Sequence, residues 1–237
     1  MILSAHQPVY LPGIILFNKI ALSDRFMFLG HAQLVKQSWH MRNRIRQGDT
    51  EVFLTVPVKT AGRLGQAIDE TEFADTFWKR KHLETIRQAY RKTPYFDAHF
   101  PAIEALLETD FPSLGALNKA LIRHFLVVLA IETPILDSAD FDPQSHKTEL
   151  LIEMTKACGA DAFLSNEGAR VYVQEDDLLA AGLAHHWQVF EHPTYPQVRM
   201  PFMPHLSIVD LLFNVGPEAA AIVRSCGRVS EAYPGHD

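Results

Sequence analysis

Short apolar segments of β-rich composition take turns with segments of helical periodicity along most of this chain, and few folds accommodate that alternation. The opening "MILSA" reads as a strand, and "GIILFNKIALSD" places Ile14, Ile15, Phe17, Ile20, Ala21 and Leu22 near helical spacing, predicting a helix after Pro12. "RFMFLG" then reads as a second buried strand and "EVFLTVPV" as a third, closed by Pro57. Residues 74–131 show no strand pattern and divide into three helices near Thr93-Pro94 and Phe111-Pro112, because a residue that precedes proline is pushed out of the helical region. Alternation then returns with "TPILDSA" as strand, "HKTELLIEMTKACG" as helix, "ADAFLSN" as strand and "QEDDLLAAGL" as a short helix. "HHWQVF" is the last expected strand, and "LSIVDLLFNVG" and "PEAAAIVRSC" are helices packed on the sheet. Apolar strands joined by helices imply a mostly parallel sheet covered on both faces. The expected fold is therefore α/β, a doubly wound sheet in a single domain over 1–237 with a helical insertion at about 74–131.

Composition narrows the function classes. The 237 residues are 47% hydrophobic, enough for a sizeable core. A net charge of −6 argues against a surface that neutralises nucleic-acid phosphates, so no specific nucleic acid is expected, although a tRNA-borne donor stays open. No apolar run approaches the roughly 18 residues of a membrane span, and the first residues lack a signal-peptide layout. The expectation is a cytoplasmic protein without membrane insertion. Cys158 and Cys226 belong to no CxxC pair and read as buried small hydrophobes. His185, His186, His192 and His205 fit no standard metal spacing, and adjacent strand histidines face opposite ways, so no metal site is expected.

In a doubly wound sheet, ligands bind beyond the carboxyl ends of the strands. His6 and Gln7 leave the first strand there, in a loop stiffened by Pro8 and Pro12, with Tyr10 between them. "KQSWHMRNRIR" follows the second strand and gathers Lys36, Ser38, Trp39, Arg42, Asn43, Arg44 and Arg46, donors suited to phosphate or carboxylate. "KTAGRLGQAI" puts Lys59 and Arg63 beyond the third. "LSNEGARVYV" offers Ser165 and Asn166 as caps and Gly168 for close backbone approach to an oxyanion. His6, Gln7, Lys36 and Arg42 form the candidate catalytic set. Tyr10, Trp39, Asn43, Arg44, Lys59, Arg63, Ser165, Gly168, Tyr195 and Gln197 are the candidate binding residues. Each has a plainer alternative: a turn histidine, a solvated basic face, an ordinary N-cap. The basic helix "FWKRKHLETIRQAYRK" reads mainly as packing through Phe77, Trp78, Ile86 and Tyr90, and "HPTYPQVRMPFMPHLS" as an extended rigid loop.

"HQPVYLPG", "KQSWHMRNRI", "LTVPVK", "GRLGQ", "KHLETI", "PYFD", "LS..GA..Y", "HPTYPQ" and "LSIVDLLFNVGPE" occur in an order that resembles the WbqC-like family over nearly the whole chain. The resemblance implies a link to gene clusters for O-antigen and other surface polysaccharides, and a suggested glycine transfer to a sugar amine. Its pattern falls on His6, Gln7, Pro8, Tyr10, Leu11, Pro12, Lys36, Trp39, Arg42, Asn43, Arg44, Ser165, Gly168, Tyr172, Tyr195, Pro196, Gln197 and Asp210. Two departures stand out: Gly30-His31 replaces an acidic pair and Gly13 a tryptophan. More loosely, the layout resembles the nucleotidyltransferase-like fold, without its HxGH signature. The expected activity is acyl or aminoacyl (glycyl-type) transfer to an amino sugar from a small anionic, phosphate-containing donor such as a nucleotide-activated one. No cofactor is firmly implied. The alternative is a non-catalytic module that binds a nucleotide-sugar or glycan precursor. The oligomeric state is left open.

Overall fold

The computed structural model describes residues 1–233. Its strands are β1 (Ile2–His6), β2 (Arg25–Phe28), β3 (Arg42–Gln47), β4 (Thr50–Thr55), β5 (Ile135–Asp137), β6 (Ala162–Ser165), β7 (Ala184–Phe190) and β8 (Gly227–Ser230). Its α-helices are α1 (Ile14–Ala21), α2 (Phe77–Tyr90), α3 (Phe96–Glu108), α4 (Leu114–Val128), α5 (Lys147–Ala157), α6 (Glu175–Ala180), α7 (Ile208–Val215) and α8 (Ala219–Ser225). The six-stranded sheet runs β5-β2-β1-β6-β7-β8, parallel except for the last pair.

Strand alternation sorts the core into two layers. Leu3, Ala5, Met27 and Phe163 pack against Leu151 and Met154 of α5 and Leu178 of α6. Phe26 and Phe28 join the larger cluster on the other side, with Phe17 and Ile20 of α1, Phe125 of α4 and Val223 of α8. Helices therefore cover both faces, as the alternation predicts, and the architecture is compatible with a Rossmann-like fold. The chain steps from β1 to β2 to β5 on one side, then crosses to β6 and β7 on the other. That reversal opens a crevice at the carboxyl ends of β1 and β6, where neighbouring connections diverge. His6 closes β1 and Ser165 closes β6.

The three helices α2, α3 and α4 are separated at the expected breaks. Thr93-Pro94 falls between α2 and α3, and Phe111-Pro112 precedes α4, whose Ser113 accepts a cap bond from the Ala116 amide at 3.2 Å. Phe77 is a correction: its ring is 84% exposed instead of packed, because it sits on the outer face of the first turn.

Two further corrections concern strands. "EVFLTVPV" does not join the parallel sheet; β4 pairs antiparallel with β3, and Gly48, at φ 67°, makes the two-residue turn between them. Alternation explains this, since Leu54 and Val56 point inward while Glu51, Phe53 and Thr55 are exposed, the signature of a strand with one covered face. Nor is β7 the last strand. Gly227–Ser230 adds an antiparallel edge, carrying only Val229 as an apolar signal.

Candidate functional site

A cavity of about 460 Å³ opens at the reversal point. Its lining includes His6 after β1, the first turn of α1, Trp39 with Asn43 and Arg44, Glu167 after β6, and His192 and His205 from the proline-rich segment. The first loop, the tryptophan-arginine segment and the bend after β6 thus share one cavity. The N-terminal turn of α1 adds the partial positive charge of a helix start.

His6 is the titratable group with the clearest chemistry. Its Nδ1–H donates to the Gln7 carbonyl at 2.7 Å, and Nε2 has no hydrogen-bond partner among the described residues. Burial pushes its pKa down to about 4, helped by the nearby charge of Lys19. Near neutral pH the ring is therefore uncharged, with an open lone pair. Lys19, on α1, is 4% exposed and donates to the Ala5 carbonyl at 3.0 Å. No carboxylate pairs with it among the described residues, and burial alone pushes it down to about 7.

Several candidate residues are spent on structure. Asn43 is buried; its amide donates to the Tyr10 and Leu11 carbonyls and its oxygen accepts from the Arg44 amide, pinning the first loop to the hairpin. Tyr10 lies fully in the core, edge-on to Trp78, with its hydroxyl 2.9 Å from His82 Nδ1. Gln7 accepts from His40 Nε2 at 3.3 Å. Arg44 binds Glu51 at 2.8 Å and the His205 carbonyl at 2.9 Å. Trp39 is half exposed and stacked 6.2 Å from Phe53, over which Arg42 also lies, so Arg42 sits on the outer face of the hairpin. Lys36 is exposed outside the cavity.

Lys59 and Arg63 require correction as a strand exit of the sheet. They follow the hairpin, and both grip Glu72 at 2.7 Å, which holds that carboxyl down at about 2. Ser165 and Asn166 do not cap the turn that follows β6: the Ser165 hydroxyl is 2.8 Å from His185 Nε2, and Asn166 makes no side-chain cap bond. Gly168 lies in that exposed single turn with ordinary room for a Cβ. Tyr195 and Gln197 meet elsewhere, around buried Asp210. Its Oδ1 accepts from Tyr195 and Gln197 and its Oδ2 from Tyr90, all at 2.8–2.9 Å. Burial raises the Asp210 pKa against the lowering effect of these donors.

Sequence reasoning missed Glu167 as a lining residue although it lies inside "LSNEGARVYV", and weighed His192 and His205 only as metal ligands. Their rings are 4.6 Å apart, and the His205 amide donates to His192 Nε2 at 2.9 Å. Among the described residues no group of three or more His, Cys, Asp or Glu is arranged to hold a metal ion. Both cysteines are free and buried. At Gly30 the Asp69 carboxylate, held by Lys119, fills the space of a side chain: a Cβ there would lie 1.9 Å from Asp69 Oδ2. His31 instead sits 2.6 Å from the Ser138 hydroxyl.

The sequence pattern described as the WbqC-like protein family matches residues 7–222. The chain belongs to that family. A second WbqC-like chain of similar length, described as "Uncharacterized protein Rv1507c" of Mycobacterium tuberculosis (strain ATCC 25618 / H37Rv), is 32% identical over 226 residues, covering 93% of this chain and 96% of that one. No solved structure matches. Among the described residues of this WbqC-like chain, no helix is long and apolar enough to cross a membrane.

Proposed function

We propose that this WbqC-like chain is a polysaccharide-associated transferase that moves an acyl or aminoacyl group from a phosphate-bearing activated donor to an amino sugar. Family membership supports the polysaccharide association. The observation that carries the chemistry is His6, neutral at working pH, with Nε2 unpartnered at a cavity shared with Arg44 and Trp39. In this reading the sugar amine attacks the donor's acyl carbon, and the new C–N bond makes the nitrogen acidic in the tetrahedral adduct. His6 Nε2 takes that proton, the bond from carbon to the leaving group breaks, and the imidazolium returns the proton to the departing oxygen. A low pKa suits this order, since a cationic ring accepts nothing and returns its proton readily. Trp39 offers a face for a base or sugar ring, and the start of α1 offers donors to the anionic part of the donor. A cytoplasmic location fits a donor activated through phosphate.

The test is purified protein with amino-sugar acceptors and acyl- or aminoacyl-nucleotide donors, with products followed by mass spectrometry. Product from wild type, and loss of at least about a hundredfold in His6→Ala with an unchanged melting temperature, is expected. Undiminished turnover in the variant removes His6 from the chemistry. Saturable binding of nucleotide-sugars without any product supports the binding-module reading instead.

A further inference from the structure

A second cavity, of about 390 Å³, lies apart from the switch point, between the hairpin turn at Gly48, the carboxyl end of α2 and the segment 197–199. Its floor is Arg46, a residue only 5% exposed. Arg46 Nε donates to the Gly48 carbonyl, and Nη1 lies 2.8–2.9 Å from Gln197 Oε1 and the carbonyls of Arg199 and Pro201. All four acceptors are neutral, and Nη2 has no partner among the described residues. No carboxylate pairs with Arg46 directly. Asp210 makes no direct hydrogen bond to its guanidinium but interacts with its charge through space and is linked to Arg46 through Gln197 and Tyr90, and its own oxygens are occupied by Tyr90, Tyr195 and Gln197. Around the mouth stand Arg91, Lys92 and Arg199, exposed and without an ion pair among the described residues.

The lining thus carries four cations against one saturated carboxylate, whereas the switch-point cavity carries Arg44 against Glu167. Nη2 opens on the cavity, where the oxygen of a bound anion can complete the guanidinium's hydrogen bonds. The convergence of cations selects a group with more than one negative charge, and Arg46's planar fork suits tetrahedral oxygens. The volume lies in the range of small-molecule pockets, roughly 300–1,000 Å³, so there is room for more than the anion itself. Gln88 adds an amide that both donates and accepts, suited to hydroxyls. We infer that this cavity binds the phosphate of a phosphorylated small molecule, with Arg46 at its floor and Arg91, Lys92 and Arg199 at its mouth. This does not rest on the transferase reading.

Isothermal titration in a phosphate-free buffer tests it, with glucose 1-phosphate, inorganic phosphate and glucose as probes. Saturable binding of glucose 1-phosphate but not glucose is expected, weakened at least about tenfold in the double variant R91A/K92A. Both residues are exposed, so the ligand-free melting temperature stays put. Lys36→Ala, which removes an exposed cation outside both cavities, keeps the affinity within about twofold. Inorganic phosphate that binds as tightly as the ester marks free phosphate as the ligand; weaker binding marks the ester. The inference is overturned by no saturable binding of either phosphate, by equal affinity for glucose, or by binding that R91A/K92A leaves unchanged.

Discussion

His6, His40 and His82 stand in surroundings that hold each of them neutral, and burial pushes all three pKa values down from 6.5 to about 4. The reasons are visible atom by atom. His40 is 5% exposed, donates from Nε2 to Gln7 and accepts the Val35 amide on Nδ1, so a second ring proton would confront a donor. His82 is 3% exposed between Trp78 and Tyr10. An unfolded chain protonates these rings near 6.5, so between there and about 4 the unfolded state binds more protons and stability falls as pH falls. The contribution is complete above the unfolded value and lost on passing the folded one. At about 1.4 kcal/mol per pKa unit, each ring loses about 2 kcal/mol between pH 7 and pH 5, and the three together about 5–6 kcal/mol. That total rivals the whole stability of an ordinary domain, about 5–15 kcal/mol. Urea unfolding followed by tryptophan fluorescence at several pH values between 7 and 5 measures it. His40→Gln and His82→Gln should each flatten the pH dependence by about a third. A midpoint that barely moves over this range, or a slope that neither variant changes, refutes the assignment of acid lability to these rings.

Lys19 makes the alkaline counterpart. Its folded value of about 7 lies below the ordinary 10.5, so stability rises with pH across that window and is lost as pH falls through about 7. Lys19→Met should abolish that rise in urea titrations and move the His6 titration upward by NMR, since Lys19's charge is part of what lowers it. Gly30→Ala should cost about 1–3 kcal/mol in the same assay, because the new Cβ must displace Asp69 from Lys119. An unchanged midpoint would mean that the carboxylate shifts freely.

The sheet was legible because its strands are short, apolar and bounded by helices of clear period, and Pro94 and Pro112 announce the breaks in the helical insertion. The hairpin was not. "EVFLTV" mixes Glu51 and Thr55 with Val52 and Leu54, and a six-residue run of that kind is read as buried or half-buried according to partners that sequence does not name. The misplacement carried Lys59 and Arg63 to the wrong end of the sheet. For the site, the end of β1 and the end of β6 follow from the alternation of elements, which is why His6 and the bend after Ser165 were found. Side-chain direction was out of reach: Tyr10 and Asn43 sit beside the cavity in sequence and turn into the core in space.

The arginines of β3 show what this means for experiment. Arg44 and Arg46 share one face of the strand, about 7 Å apart, one toward each cavity. Between Glu191 and Leu206 the chain has no regular secondary structure, and its backbone oxygens need other donors. Arg44 supplies one to His205, Arg46 supplies Arg199 and Pro201, and Gln197 braces Met203 through both ends of its amide. A density of arginine that reads as anion recognition is therefore, in large part, the scaffold of the segment that walls both cavities. Removing Arg44 or Arg46 combines loss of a ligand donor with loosening of that wall, and binding data alone merge the two effects. Hydrogen exchange over residues 196–204 separates them: a variant that weakens ligand binding while the Val198 and Met203 amides stay protected has lost recognition, and one that exposes them has lost the wall.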